Sequence, residues 1–362
     1  MRITFVLPGH GAVPVGGFKV VYEYANGLAR KGHTVTVVHA SQASLNPSAY
    51  RRVRGLLKYV AFATGYRGGY KPDSWFRIDP RINMLWVPSL GERWIPDSHA
   101  VVATAWRTAE WVATLPPEKG RKYYLIQHKE SIFPNADPVR VTETWKLPMH
   151  KIVIAKWLQE EAEKLGQPAT YVPNGLDFVT FGLDVPIDER QHAQLMMLCH
   201  DAEWKGTDDG IEAMLLVARE VPQIRATLFG VGKSPKNLPK WITYRRNPQQ
   251  NELRALYNQA AIFVSPSLAE GWGLPPCEAM QCGAAVCATD IGGHREYAIH
   301  EETALLSPPS DPGALAQNVV RLVRDQDLRI RIAQQGYRHI QQFTWEKAVG
   351  KMEETLLSGV KR

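Results

Sequence analysis

Short apolar runs alternate with stretches of helical spacing along most of the chain. Residues 3–7 (ITFVL) read as a strand buried on both faces. Residues 18–31 place Val21, Tyr24, Ala25 and Leu28 on one side of a helix, which Gly32-His33 stops before a second strand at 34–39. This is a right-handed β–α–β opening of the Rossmann type. Further strands are predicted at 82–87, 100–104, 123–127 and 151–155, with a helix at 157–165. Beyond a hinge between about residues 174 and 192, strands at 195–199, 226–230, 241–244, 261–264 and 284–288 alternate with helices at 209–217, 251–259 and 276–280. A last helix is predicted at 345–357. Such alternation specifies an α/β chain with parallel sheets, and 362 residues suffice for about two domains.

The chemistry concentrates between the strands at 261–264 and 284–288. The loop there runs through EGWGLPPCEAM at residues 270–280 and puts Glu270 at its end and Glu278 about one turn into the following helix. Gly271, Trp272, Gly273 and Leu274 can aim backbone N–H groups at an anion, and a helix N-terminus adds partial positive charge. In parallel sheets ligands bind outside the carboxyl ends of the strands, where this loop lies. Two carboxylates flanking an anion site suit a ligand with phosphates in its middle and hydroxyls at both ends, such as a nucleotide-sugar. An isolated pair of glutamates at this spacing is ordinarily a solvated turn and helix surface; the context gives it meaning here.

That context resembles the retaining glycosyltransferases of family 4, whose signature PS-x-x-EG-[FW]-G-x-P-x-x-EA-[ML] is matched from Pro266 to Met280. The resemblance extends to YVPNGLD at 171–177, to Lys205-Gly206, and to Asp290 through Glu296, and it covers nearly the whole chain, most strongly from 171 to 312. It implies two Rossmann-like domains facing across a cleft (GT-B). Residues 1–176, completed by 345–362, would hold the acceptor, and residues 177–344 the nucleotide-sugar donor. It assigns Glu270 to the donor sugar, Glu278 to the ribose and Lys205 to the phosphates. Gly16 and Gly17, read as a glycine pair before the first helix, would lie against the donor phosphates or the acceptor, and His128, just past a strand end, near the reacting sugar. The family's G-R-x-x-x-x-K-G segment departs here: the arginine position is His200, which can donate a hydrogen bond but is not an obligate charge. The resemblance implies no metal or other cofactor, because Lys205, the loop amides and the helix dipole can stabilise a departing diphosphate. A saccharide or lipid-linked acceptor in cell-envelope polysaccharide synthesis is the family's usual setting.

Other motifs are weaker. Gly232-Lys233-Ser234 ends like a P-loop, but Thr227 stands where the first glycine belongs. Asp325-Gln326-Asp327 is formally D-x-D, but follows a helix and reads as a helix-end turn. The four cysteines lack C-x-x-C spacing and read as reduced, half-buried packing residues, not a zinc site.

The net charge of +7 leaves anionic partners open. Its most basic stretch is 50–71, with Arg51, Arg52, Arg54, Lys58, Arg67 and Lys71 interleaved with apolar residues and no acid. Two readings stand: a basic amphipathic helix resting on an anionic membrane surface, or a half-buried helix with its charges in solvent. No nucleic-acid motif accompanies it. The first residues are too short an apolar run for a signal peptide, and no 18-residue apolar window exists, so a cytoplasmic protein, peripheral at the inner membrane face, is expected. Three functions stay open: a glycosyltransferase, a nucleotide-sugar epimerase or hydrolase on the same frame, and a non-catalytic relic that binds a nucleotide-sugar.

Overall fold

The computed structural model describes residues 1–66, 68–134 and 136–360. The chain forms two compact units, Met1–Gly175 with Trp345–Arg362, and Leu176–Thr344.

The first unit contains β1 (Arg2–Pro8), β2 (Thr34–Gln42), β3 (Asn83–Ser89), β4 (Ala100–Ala103), β5 (Arg121–Ile126), β6 (His150–Val153) and β7 (Ala169–Tyr171). They form one parallel sheet in the order β3-β2-β1-β4-β5-β6-β7. Central β1 lies between β2 and β4, and its interior residues Ile3, Phe5, Val6 and Leu7 are all buried, which is why it reads as a continuous apolar run. The helix Gly16–Arg30 buries Val21, Tyr24, Ala25 and Leu28. The C-terminal helix Trp345–Val360 packs on it: a Cβ at Gly27 would lie 2.4 Å from Val349 Cγ2, and Tyr24 meets Trp345 edge-on at 5.4 Å.

The second unit contains β8 (Gln194–Leu198), β9 (Arg225–Gly230), β10 (Ile242–Arg246), β11 (Ile262–Ser265), β12 (Ala285–Thr289) and β13 (Leu305–Ser307). Its parallel sheet has the order β10-β9-β8-β11-β12-β13. Leu195, Met197, Leu228, Ile262, Val264 and Cys287 form the middle of its core. In both sheets the strand order reverses beside the first strand, between β1 and β4 and between β8 and β11. Those switch points, at the carboxyl ends, are where α/β sheets accept ligands.

Several expectations change. Gly16 and Gly17 are the first two residues of their helix, not the loop before it. The helix expected at 276–280 begins at Leu274. All four cysteines are free and fully buried, not half-buried. Asp325 ends the helix Pro312–Arg324 as expected, its N–H donating to the Arg321 carbonyl at 2.9 Å, but it also opens another: its Oδ1 accepts from Leu328 N–H at 2.9 Å and caps Gln326–Ile340. That helix, Trp106–Thr114, Pro138–Trp145 and strand β7 were not anticipated. Trp106–Thr114 follows Ala105, which offers no polar cap; the Thr108 hydroxyl instead reaches back to accept from Ala105 N–H at 3.0 Å. The basic stretch is helical over Ala49–Ala63, and Arg67 lies outside the described residues. Among the described residues no helix is long and apolar enough to cross a membrane.

Candidate active site

The strongest constellation lies at the switch point of the second sheet. The chain leaves β8 through His200, makes a short turn ending at Lys205, and enters the helix Thr207–Glu220 at Gly206. It leaves β11 into the loop carrying Glu270. Backbone bonds tie the two loops together, since the Trp204 carbonyl accepts from Leu268 N–H at 2.8 Å and from Ala269 N–H at 3.3 Å. Gly206 has φ +60°, and a Cβ there would meet the Pro266 carbonyl oxygen, so this approach needs glycine.

The result is a close ion pair. Lys205 Nζ donates to Glu270 Oε1 at 2.7 Å and to Oε2 at 2.9 Å, and Ser267 Oγ donates to Oε1 at 2.9 Å. Glu270 is buried. Burial alone would raise its pKa, but the Lys205 ammonium and the Ser267 hydrogen bond outweigh it and hold the carboxyl below its ordinary value. Gly293 brings a second loop against it: a Cβ there would lie 2.7 Å from Glu270 Cβ.

His294 and Tyr297 close the floor. His294 Nδ1 lies 2.7 Å from the Thr289 carbonyl oxygen and so carries the proton, leaving Nε2 to accept from Ser265 Oγ at 3.1 Å. Burial lowers the His294 pKa despite nearby Glu270, which keeps the ring neutral. Tyr297 OH donates to the Gly273 carbonyl at 3.0 Å, fixing that glycine at φ +91° immediately before the helix Leu274–Gln281. Pro275 and Pro276 have no N–H. Of the four amides that a helix start ordinarily leaves without helical partners, only those of Gly273 and Leu274 remain.

Glu278 lies half-buried one turn into this helix, and the buried Tyr257 hydroxyl donates to its Oε2 at 3.1 Å. Gly271 is buried, and the Trp272 ring packs against Phe343 at 5.3 Å and Tyr297 at 6.3 Å, so the indole is a packing element and only its backbone remains for a ligand. His200 is exposed. Its Nδ1 accepts from Ala202 N–H at 2.9 Å, which places the proton of a neutral ring on Nε2. Partial desolvation of the imidazole and the charge of Lys205 lower its pKa. The position therefore offers a neutral donor where a guanidinium would offer fixed charge.

The remaining predicted residues belong to the first unit. Gln127, just past β5, donates from Nε2 to the Gly17 carbonyl at 3.1 Å and so joins the start of the helix Gly16–Arg30 to the loop of His128. His128 packs against Phe133 at 5.0 Å and Trp157 at 6.3 Å. Two residues on, Glu130 Oε2 accepts from Trp106 N–H at 2.7 Å and from Tyr124 OH at 3.3 Å. Burial raises its pKa to about 7, against the pull of both hydrogen bonds.

Lys205, Glu270, Glu278, His200 and the residues from Gly271 to Leu274 thus fall on two adjoining loops and the helix that follows one of them in one unit, and Gly16, Gly17 and His128 at a helix start and the loop joined to it in the other. Ser267, His294, Tyr297, Tyr257, Gln127 and Glu130 were not anticipated as site residues. His294 had a signal, its place directly after Gly292-Gly293; Tyr257 had none, since it sits in an ordinary helix pattern. Among the described residues no group of three or more His, Cys, Asp or Glu is arranged to hold a metal ion.

Comparison with known proteins places this geometry in context. The family model "Glycosyl transferases group 1" matches residues 190–339, most of the second unit. An uncharacterized glycosyltransferase of Methanocaldococcus jannaschii is 28% identical over 149 residues, 39% of this chain and 42% of that protein. The capsular polysaccharide biosynthesis glycosyltransferase CapM of Staphylococcus aureus is 23% identical over 251 residues, 63% of this chain and 65% of that one. The chain thus spans less than two thirds of the length of these curated relatives. The crystal structure of Anabaena HepE in complex with UDP and glucose superposes with a TM-score of 0.74 at 15% identity, over 99% of this chain and 100% of that one. The fold is that of the GT-B glycosyltransferases, two Rossmann-like α/β units with parallel sheets.

Proposed function

We propose that this protein is a glycosyltransferase of the retaining, family-4 type that moves a sugar from a nucleotide-sugar to a saccharide or lipid-linked acceptor, in polysaccharide synthesis at the cell envelope. The observation that carries the reading is the Lys205–Glu270 pair at the switch point of the second sheet, with Glu278 on the next helix turn. Lys205 is the cation for the diphosphate, and the Gly273 and Leu274 amides are further donors to it. Glu270 receives sugar hydroxyls and Glu278 the ribose hydroxyls. Gly16, Gly17 and His128 serve the reacting sugar and the acceptor. The UDP in HepE makes a uridine nucleotide the first donor to try.

The chemistry follows from the charges. The bond between the anomeric carbon and the β-phosphate oxygen breaks, and its electron pair leaves with the diphosphate. The acceptor oxygen bonds to that carbon on the same face, and its proton passes to the departing phosphate oxygen. Lys205 and the loop amides stabilise the charge developing on the diphosphate, so the step is written without a metal and without a protein nucleophile. Ligand binding has to draw the ammonium from the carboxylate toward phosphate. This frees Glu270 oxygens for hydroxyls.

Incubation with a panel of nucleotide-sugars tests the reading. The expected result is slow release of free sugar and nucleoside diphosphate by the wild type, abolished in Lys205→Ala. Binding without release from any donor would favour a relic, for which neutral His200 in place of a guanidinium is the specific observation.

A further inference from the structure

The helix Ala49–Ala63 turns its apolar residues the wrong way for a helix of a globular unit. Its inner face is small. Gly55 and Phe62 are buried; Ser41 Oγ donates to the Gly55 carbonyl at 2.6 Å, Trp86 Nε1 donates to the Tyr59 carbonyl at 2.9 Å, and His10 stacks on Phe62 at 4.3 Å. These contacts seat the helix on β2 and β3, at the edge of the first sheet. Tyr50, Val53, Leu56, Leu57 and Val60 are instead between 47% and 73% exposed. At about 100° per residue they form one stripe about 120° wide, pointing nearly opposite to Gly55 and Phe62. Arg52 flanks the stripe on one side and Arg54 on the other, both exposed, whereas Arg51 and Lys58 lie round toward the inner face. No Asp or Glu occurs from residue 24 to residue 72. Of the two readings open from sequence, a half-buried helix with its charges in solvent does not account for this, because the large aliphatic side chains share the solvent with the charges.

A contiguous apolar stripe with a cation on each border and no acid on the helix has a specific complement. We infer that this helix lies in the headgroup region of a phospholipid surface bearing anionic lipids, with Tyr50, Val53, Leu57 and Val60 entering the acyl boundary and Arg52 and Arg54 on its two borders contacting phosphate. A protein partner would cover the stripe but gives no reason for a cationic border on both sides without one carboxylate. The inference is independent of glycosyl transfer and is tested without it.

The test is flotation of the full chain with vesicles of phosphatidylcholine alone, and of about one part phosphatidylglycerol to two parts phosphatidylcholine, at low salt and at about 0.5 M salt. The wild type is expected to float with the anionic vesicles only, and to lose most binding at high salt. Val53→Ser with Leu57→Ser is expected to reduce binding at least about tenfold, and Arg52→Gln with Arg54→Gln to remove the preference for phosphatidylglycerol. All four side chains are exposed, so unchanged thermal unfolding verifies that the variants are folded. Failure of the wild type to bind anionic vesicles at low salt, or equal flotation of the Ser variant, overturns the inference. So does a wild-type dimer that Leu57→Ser dissociates, because a second copy would then cover the stripe.

Discussion

Lys205 and Glu270 stand 65 positions apart in sequence, yet the ammonium of one lies 2.7 and 2.9 Å from the two carboxylate oxygens of the other. Their meeting depends on strand order, because β8 and β11, which deliver them, are neighbours across the switch point. Removing one partner leaves the other charge in a buried site, which ordinarily costs more than the pair contributes. Lys205→Met is therefore expected to lower stability by roughly 3 kcal/mol, and Lys205→Met with Glu270→Gln to recover most of it. The pH dependence has a definite sign. In the wild type Glu270 is held below its ordinary value of 4.5, so its contribution is full above that value and is lost as the pH falls through the lowered pKa. Without Lys205, burial is less opposed and the carboxyl rises, so the deficit of the variant shrinks in acid. Chemical denaturation at pH 7 and pH 4 measures this.

Glu130 behaves in the opposite sense. Burial raises its pKa from 4.5 to about 7, so the folded unit binds more protons than the unfolded chain across that interval. Its contribution is present below 4.5 and is lost as the pH rises through about 7. Glu130→Gln removes this loss while keeping an acceptor for Trp106 N–H. The variant is expected to gain roughly 1–3 kcal/mol on the wild type between pH 5 and pH 8. Denaturation midpoints across that range read it directly, and parallel curves for the two proteins would contradict it.

Gly206→Ala tests how the cation is placed. The residue has φ +60° and its Cβ would collide with the Pro266 carbonyl. The loops must separate to relieve this, so a loss of roughly 2–4 kcal/mol is expected, together with loss of nucleotide binding. Gly16→Ala, where a Cβ meets nothing within 4 Å, is the matched control for stability.

Much of this architecture was legible in the chain itself, for identifiable reasons. Strands such as β1 and β11 are buried on both faces, so they appear as uninterrupted apolar runs bounded by loops. EGWGLPPCEAM marked the candidate site because its glycines and prolines serve only a particular backbone path. Elements capped from a distance were missed. Trp106–Thr114 receives Glu130 at its first amide from 24 residues away, and no local pattern announces that. Partners such as Tyr257 for Glu278 and Gln127 for Gly17 were likewise invisible, because hydrogen bonds between sequence-remote residues leave no spacing to read.

Tyr257→Phe separates positioning from binding at Glu278. The hydroxyl donates at 3.1 Å to the carboxylate assigned to the ribose, and burial keeps it protonated. Its loss is expected to weaken nucleotide binding by about 1 kcal/mol, roughly fivefold, leaving the turnover of bound donor nearly unchanged. An equal fall in kcat would contradict a positioning role.

The most direct measurement is thermal stabilisation of the full chain by uridine, guanosine, adenosine, cytidine and thymidine diphosphates, with Glu278→Ala and Lys205→Met beside the wild type. A nucleotide at a hundred times its Kd should stabilise the wild type by roughly 2.7 kcal/mol. A shift for one base is expected, lost in Glu278→Ala and in Lys205→Met. No shift for any nucleotide, or one that survives both substitutions, would contradict the assignment of this site to a nucleotide-sugar.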